Sequence, residues 1–156
     1  MQVAFPQKNT GQLLIVNPGN RLRPDQASEQ PLIKLPDAAT EARALVMWDD
    51  DVPYPNDPHK KPFLHGAWLS ASRNNSATRN NGFFAPRRPA INYTGPNPPQ
   101  DSDPHTYHLG LYRYLDGTEP RQIPKITDRK DFARWLTAWG LDTDPIAQTW
   151  FLSGYN

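Results

Sequence analysis

Cysteine is absent from all 156 residues, so neither a disulfide nor a thiolate nucleophile is available, which fits a reducing compartment. An excess of either charge is lacking too. Seventeen Lys and Arg stand against 16 Asp and Glu, a formal net charge of +1. That balance gives no basis for bulk nucleic-acid binding. No apolar run approaches the ~20 residues that span a bilayer, and the opening MQVAFPQKNT lacks the apolar core of a secretion signal. The expectation is a soluble, cytoplasmic protein with no transmembrane segment, in which the sequons at Asn74 and Asn92 arise by chance. Leu, Ile, Val and Phe supply only about a fifth of the chain, near the range of disordered sequences. Disorder also needs a large net charge, and five Trp with six Tyr restore the apolar mass.

What the chain has in excess is proline, 18 residues, about twice the usual share. Each one fixes φ and removes a backbone donor, which disfavours long helices and suits a β protein rich in loops. The length is read as one domain over 1–156. QLLIV (12–16) is a short strand closed by the turn NPGN (17–20), and QPLIKLP (30–36) is another bounded by prolines. ARALVMW (42–48), HGAWLSA (65–71) and YHLGLYRYL (107–115) are the main strands, and the TWFL end of DPIAQTWFL (144–152) forms a last one. One helix is expected, capped by Asp128 with Asp131 in its first turn. Phe132, Trp135, Leu136 and Trp139 form its apolar face and Gly140 its end. RNNSATRNNG (73–82) is a polar loop.

Three places combine polar groups with proline turns and strands: the triplet Asp49, Asp50 and Asp51, then His65, then His105 with Tyr107. Three adjacent carboxylates repel one another, so at least one needs hydrogen-bond donors, a cation or open water. In a strand beginning at His105, the period of two sends His105 and Tyr107 to one face and His108 to the other. If the strands are neighbours, an Asp and two His converge on one concave spot lined by Phe63, Tyr107 and prolines. Imidazole N–H donors beside a carboxylate that fixes a tautomer suit a small phosphate-like anion.

These residues resemble the phosphatidylethanolamine-binding protein family, also called Raf kinase inhibitor proteins. The resemblance rests on Asp-x-Asp-x-Pro (49–53), Asp57-Pro58, Leu64-His65, the run YTGPNPP (93–99) and His105-Thr106-Tyr107, in that order. PGNRLRPDQASEQP (18–31) and DPIAQTWF (144–151) extend it over nearly the whole chain. The resemblance implies a mainly β fold, a central antiparallel sheet packed on a smaller sheet with few helices. It also implies a small surface pocket for phosphate-like groups such as phosphoethanolamine, formed by Asp49, Phe63, His65, Pro99, His105 and Tyr107. Phe63 stands where the family carries a tryptophan. Asp50 replaces a rigid proline, which is expected to make the rim more acidic, and Thr106 replaces an arginine. Residues 73–92 look long for the family and offer Arg73, Arg79, Arg87 and Arg88 to a partner. The chain stops at Asn156 without the C-terminal helix of animal members, which implies a more open pocket.

The leading functional expectation is a non-enzymatic module that holds an anionic group and engages a protein, with kinase or protease modulation implied by the family. No cofactor and no metal are expected. The alternatives are a structural subunit whose pocket is idle, and a metal-assisted hydrolase using Asp49, Asp51, His65 and His105.

Overall fold

Apolar alternation interrupted by proline turns divides the described residues into nine strands and one α-helix. The protein is represented by a computed structural model, which describes residues 1–36, 41–60, 62–73, 80–123 and 132–155. In chain order the elements are β1 (Gln2–Pro6), β2 (Leu13–Val16), β3 (Arg21–Leu22), β4 (Leu32–Lys34), β5 (Arg43–Asp49), β6 (Phe63–Ser70), β7 (Arg87–Ile91), β8 (His105–Arg113), α1 (Phe132–Ala138) and β9 (Ala147–Ser153). A three-stranded sheet has the order β2-β1-β4, and a six-stranded sheet the order β3-β9-β8-β5-β6-β7. Neighbours are antiparallel except β3, which runs parallel to β9. This is the mainly β, two-sheet architecture expected from the proline content and the family resemblance.

Strand β5 is buried at all seven positions because both faces of the large sheet are covered, so its apolar run is continuous rather than alternating. Leu45 and Met47 face the small sheet and pack with Val3, Phe5, Ile33, Leu109 and Phe151. The Phe5 and Phe151 rings meet edge to face with centroids 5.4 Å apart, which joins the two sheets. Ala44, Val46 and Trp48 face the other way, onto Trp135, Leu136 and Trp139 at α1 and its end. The helix stops at Gly140, whose φ of +72° suits glycine. There Gly140 N–H donates to the Thr137 carbonyl (3.0 Å) and Leu141 N–H to that of Leu136 (2.9 Å), a Schellman closure. No helix among the described residues is long and apolar enough to cross a membrane.

The strand expectations at 12–16, 30–36, 42–48, 65–71, 107–115 and the TWFL end coincide with β2, β4, β5, β6, β8 and β9. The expected loop at 73–92 needs correction, because Arg87–Ile91 is the edge strand β7 beside β6. Pro89 is tolerated there, since an edge strand has no outer partner to lose. Arg88 is not open to a partner. It lies at φ +56° and donates to the Glu119 carboxylate (2.9 Å) and the Pro120 carbonyl (2.7 Å), while Arg87 is exposed. Residues 74–79, with Arg79, and the helix-cap positions Asp128 and Asp131 lie outside the described residues.

Candidate functional site

The ends of three central strands of the large sheet, β8, β5 and β6, meet at one place. Asp49 closes β5, with Tyr107 of β8 opposite it on one side and Phe63 of β6 on the other. His105 lies two residues before Tyr107 and shares its face. His65 arrives there by a different route. The β5–β6 register pairs Met47 with Gly66 but Trp48 with Leu64, so His65 is the extra residue of a β-bulge. Gly66 is required beside the bulge, since a Cβ there would sit 2.5 Å from a carbon of the Trp68 ring. The bulge is pinned to the next loop twice: Thr94 N–H donates to the His65 carbonyl, and His65 Nδ1–H donates to the Thr94 carbonyl, both at 2.7 Å.

The three adjacent carboxylates avoid one another by diverging. Asp49, only 2% exposed, accepts the Asp51 N–H on Oδ1 (2.8 Å) and His105 Nδ1 on Oδ2 (2.8 Å), with His65 Nε2 4.0 Å from the same oxygen. Asp51 accepts the Thr106 N–H at 2.7 Å. Asp50 turns to the opposite face, where it accepts Trp48 Nε1–H at 3.1 Å and lies 3.7 Å from His108 Nε2. The expectation that Asp50 acidifies the pocket rim is therefore corrected: strand alternation carries it through the sheet. His108 stacks on Trp48 on that far face, ring centroids 5.3 Å apart. Asp51, one of the groups of the hydrolase alternative, spends its carboxylate on the β8 backbone.

Burial sets the electrostatics. Desolvation pushes the Asp49 pKa up, against the pull of His105 and the Asp51 N–H, and pushes that of His65 down, against the Thr94 bond and the Asp49 charge. Burial and the Asp49 carboxylate raise Tyr107 well above an ordinary phenol. His65 thus favours its neutral form, with Nδ1 protonated because a carbonyl can only accept.

Asp49, Phe63, His65, Pro99, His105 and Tyr107 all line one cavity of about 310 Å³. Phe63 and Tyr107 meet the His65 ring edge to face at 4.9 and 5.0 Å. His105 is 2% exposed, and its Nε2 is buried without a hydrogen-bond partner. An orphaned buried nitrogen is costly unless something enters to satisfy it. Val52, Pro53, Thr94, Gly95, Asn97 and Pro98 complete the wall. They fall within the segments 49–53 and 93–99 that the resemblance singles out, although their individual parts carry no residue-type signal. Thr94 acts through its backbone, and the Asn97 side-chain oxygen accepts the Tyr155 hydroxyl (2.8 Å).

A two-sheet β protein with a small aspartate–histidine pocket between a bulged strand and a proline loop defines the class. The profile of the phosphatidylethanolamine-binding protein family matches residues 14–151, and the chain belongs to that family. It is 36% identical over 137 residues to Protein TWIN SISTER of FT from Arabidopsis thaliana, covering 87% of this chain and 72% of that one. Carboxypeptidase Y inhibitor from Saccharomyces cerevisiae is 32% identical over 107 residues, 62% of this chain and 49% of that one. Protein MOTHER of FT and TFL1 homolog 2 from rice is 29% identical over 120 residues, 73% of this chain and 64% of that one. The chain therefore spans about half to two thirds of the length of the latter two relatives. In structure it resembles carboxypeptidase Y inhibitor complexed with its cognate proteinase, with a TM-score of 0.69, 23% identity, and 99% of this chain and 83% of that one covered. The phosphatidylethanolamine-binding protein from Plasmodium vivax gives a TM-score of 0.65 at 15% identity, covering 99% and 85%. At those identities the likeness is one of fold.

Proposed function

We propose that the protein is a non-enzymatic binding module whose pocket holds a phosphate-like group and serves as a recognition point for a protein partner. The observation that carries this reading is the buried, unpartnered His105 Nε2 in a cavity whose floor is the Asp49–His105 pair. A small polar ligand entering there satisfies that nitrogen and lies against the apolar rings of Phe63 and Tyr107. A phosphoethanolamine head group, with phosphate and ammonium together, has both the size and the polarity. Charge-assisted hydrogen bonds contribute about 1.5–3 kcal/mol each. Two or three of them, offset by ordering and desolvation, give an affinity of roughly micromolar to millimolar. Such a pocket suits recognition better than lipid carriage. A protein partner is supported by the relative named as a proteinase inhibitor and solved with its cognate proteinase. Which partner this chain takes does not transfer with the fold.

The test is NMR of labelled protein titrated with phosphoethanolamine. Saturable shifts confined to Asp49, His65, His105, Tyr107 and the 94–99 loop, and lost in His105→Ala, are the expected outcome. A folded sample in which nothing moves at millimolar ligand contradicts the reading.

A further inference from the structure

The hydrogen-bond alternation of the small sheet leaves one of its edges unpaired. Ile33 in β4 exchanges both of its backbone bonds with Phe84, each at 2.9 Å, so it turns away from β1. Val3, directly opposite Ile33, therefore directs its own groups to β2. The Gln7 N–H donation to the Gln12 carbonyl (2.8 Å) fits the same alternation. Val16 and Leu14, opposite Val3 and Phe5, take the bonds from β1. Leu13 and Ile15 consequently point their N–H and C=O groups outward. Among the described residues, nothing pairs with those four groups.

Proteins guard exposed strand edges, and the other three edges here are guarded. β3 is two residues long, β7 carries Pro89 and two arginines, and β4 is covered by Phe84. β2 has neither a charge nor a proline, and no charged residue occurs from Asn9 to Asn20. Ile15 is 37% exposed, and a cleft of about 550 Å³ opens between it, the 10–13 turn and Phe83. Such an edge offers a charged peptide no ion pair. It suits an uncharged, apolar strand, which β2 itself is.

We propose that β2 is a self-association edge, pairing antiparallel with β2 of a second copy about a two-fold axis at Leu14. In that register Leu13 lies opposite Ile15 of the second copy and exchanges both bonds with it, and Ile15 does the same with Leu13 of the second copy. All four free groups of each copy are then satisfied. A register shifted by two sets one outward residue against Gly11 or Asn17, whose N–H is already bound. Opposite residues share a face, so Leu13, which packs on Ala4, Leu32 and Phe83, also covers Ile15 of the second copy. The contact is closed and two-fold. It uses no residue of the anion pocket and stands independently of the function proposed above.

Sedimentation equilibrium of the native chain, from about 5 to about 500 µM, tests this. A lone strand pair is smaller than a standard interface, so the expected result is a monomer–dimer equilibrium with a Kd of roughly 100 µM. Ile15→Pro removes an outward donor and no bond to β1, and should raise the Kd about tenfold or more at an unchanged Tm. Ile15→Lys, at a position already part-exposed, weakens the pairing without touching the backbone. The chain lacks cysteine, so Leu14→Cys, adjacent to itself on the axis, oxidises to a covalent dimer. Ile15→Cys, two residues out of register with itself, does so far more slowly. A monomer at the highest concentration, a dimer that both Ile15→Pro and Ile15→Lys leave intact, or equal cross-linking by the two cysteine variants overturns the proposal.

Discussion

Asp49 is the residue on which the site turns, and its position is costly. It is ionisable, buried beneath the sheet edge, and its pKa is raised because desolvation outweighs the donors that hold it. A carboxyl with a higher pKa folded than unfolded binds more protons in the native state, so its contribution is fully present at low pH and is lost as pH rises through the folded value. At pH 7.5 the buried charge thus weakens the fold. Asp49→Asn removes that charge while Oδ1 still accepts the Asp51 N–H. The expected outcome is a Tm above that of the parent at pH 7.5, with the difference shrinking as pH is lowered toward 4; a lower Tm at pH 7.5 contradicts it. The parity of β8 was enough to place His105 and Tyr107 together and His108 apart. The direction of Asp50 was also implicit in alternation along β5, but the resemblance drew attention to its charge rather than its side of the sheet. What residue types do not carry is the carbonyl of Thr94, which fixes the His65 tautomer.

At the scale of elements, strongly apolar strands were readable and marginal ones were not. ARALVMW and YHLGLYRYL announce β5 and β8 because both faces of those strands are covered. QVAFP is short and ends in proline, and RRPAI carries two arginines and a proline, so β1 and β7 give no such signal. Both become strands because a neighbour pairs with them. The bulge at His65 is still less legible, since it exists only in the β5–β6 register. Yet it aims the second histidine, and Gly66 makes room for it. Gly66→Ala forces a Cβ against the Trp68 ring and should destabilise the protein by about 1–3 kcal/mol in urea unfolding. A change below a few tenths of a kcal/mol means that the ring has space the geometry does not reveal.

For the whole molecule, the pocket is built from the centre of the large sheet rather than from its margin. Its walls come from β5, β6, β8 and the 94–99 loop, and the same three strands form the interface with the small sheet on one face and with α1 on the other. A ligand held there binds only the folded state, so occupancy is read as global stability. At ten times its Kd, a ligand adds about 1.4 kcal/mol. For a chain of this size that is a Tm rise of about 3–6 °C. Phosphoethanolamine should produce this shift in the native chain and not in His105→Ala; an equal shift in both assigns the binding to another surface.

Two imidazoles and one carboxylate line a single cavity, in which a ligand would satisfy the buried His105 Nε2. The most direct measurement is 15N NMR of the histidine side chains at pH 7.5, before and after saturation with phosphoethanolamine. The expected result is a free protein in which His65 is protonated on Nδ1 alone, and a ligand that moves the Nε2 resonances of His65 and His105 while those of His59 and His108 stay in place. A free His65 protonated on Nε2 alone, or Nε2 resonances unmoved at saturating ligand, contradicts it.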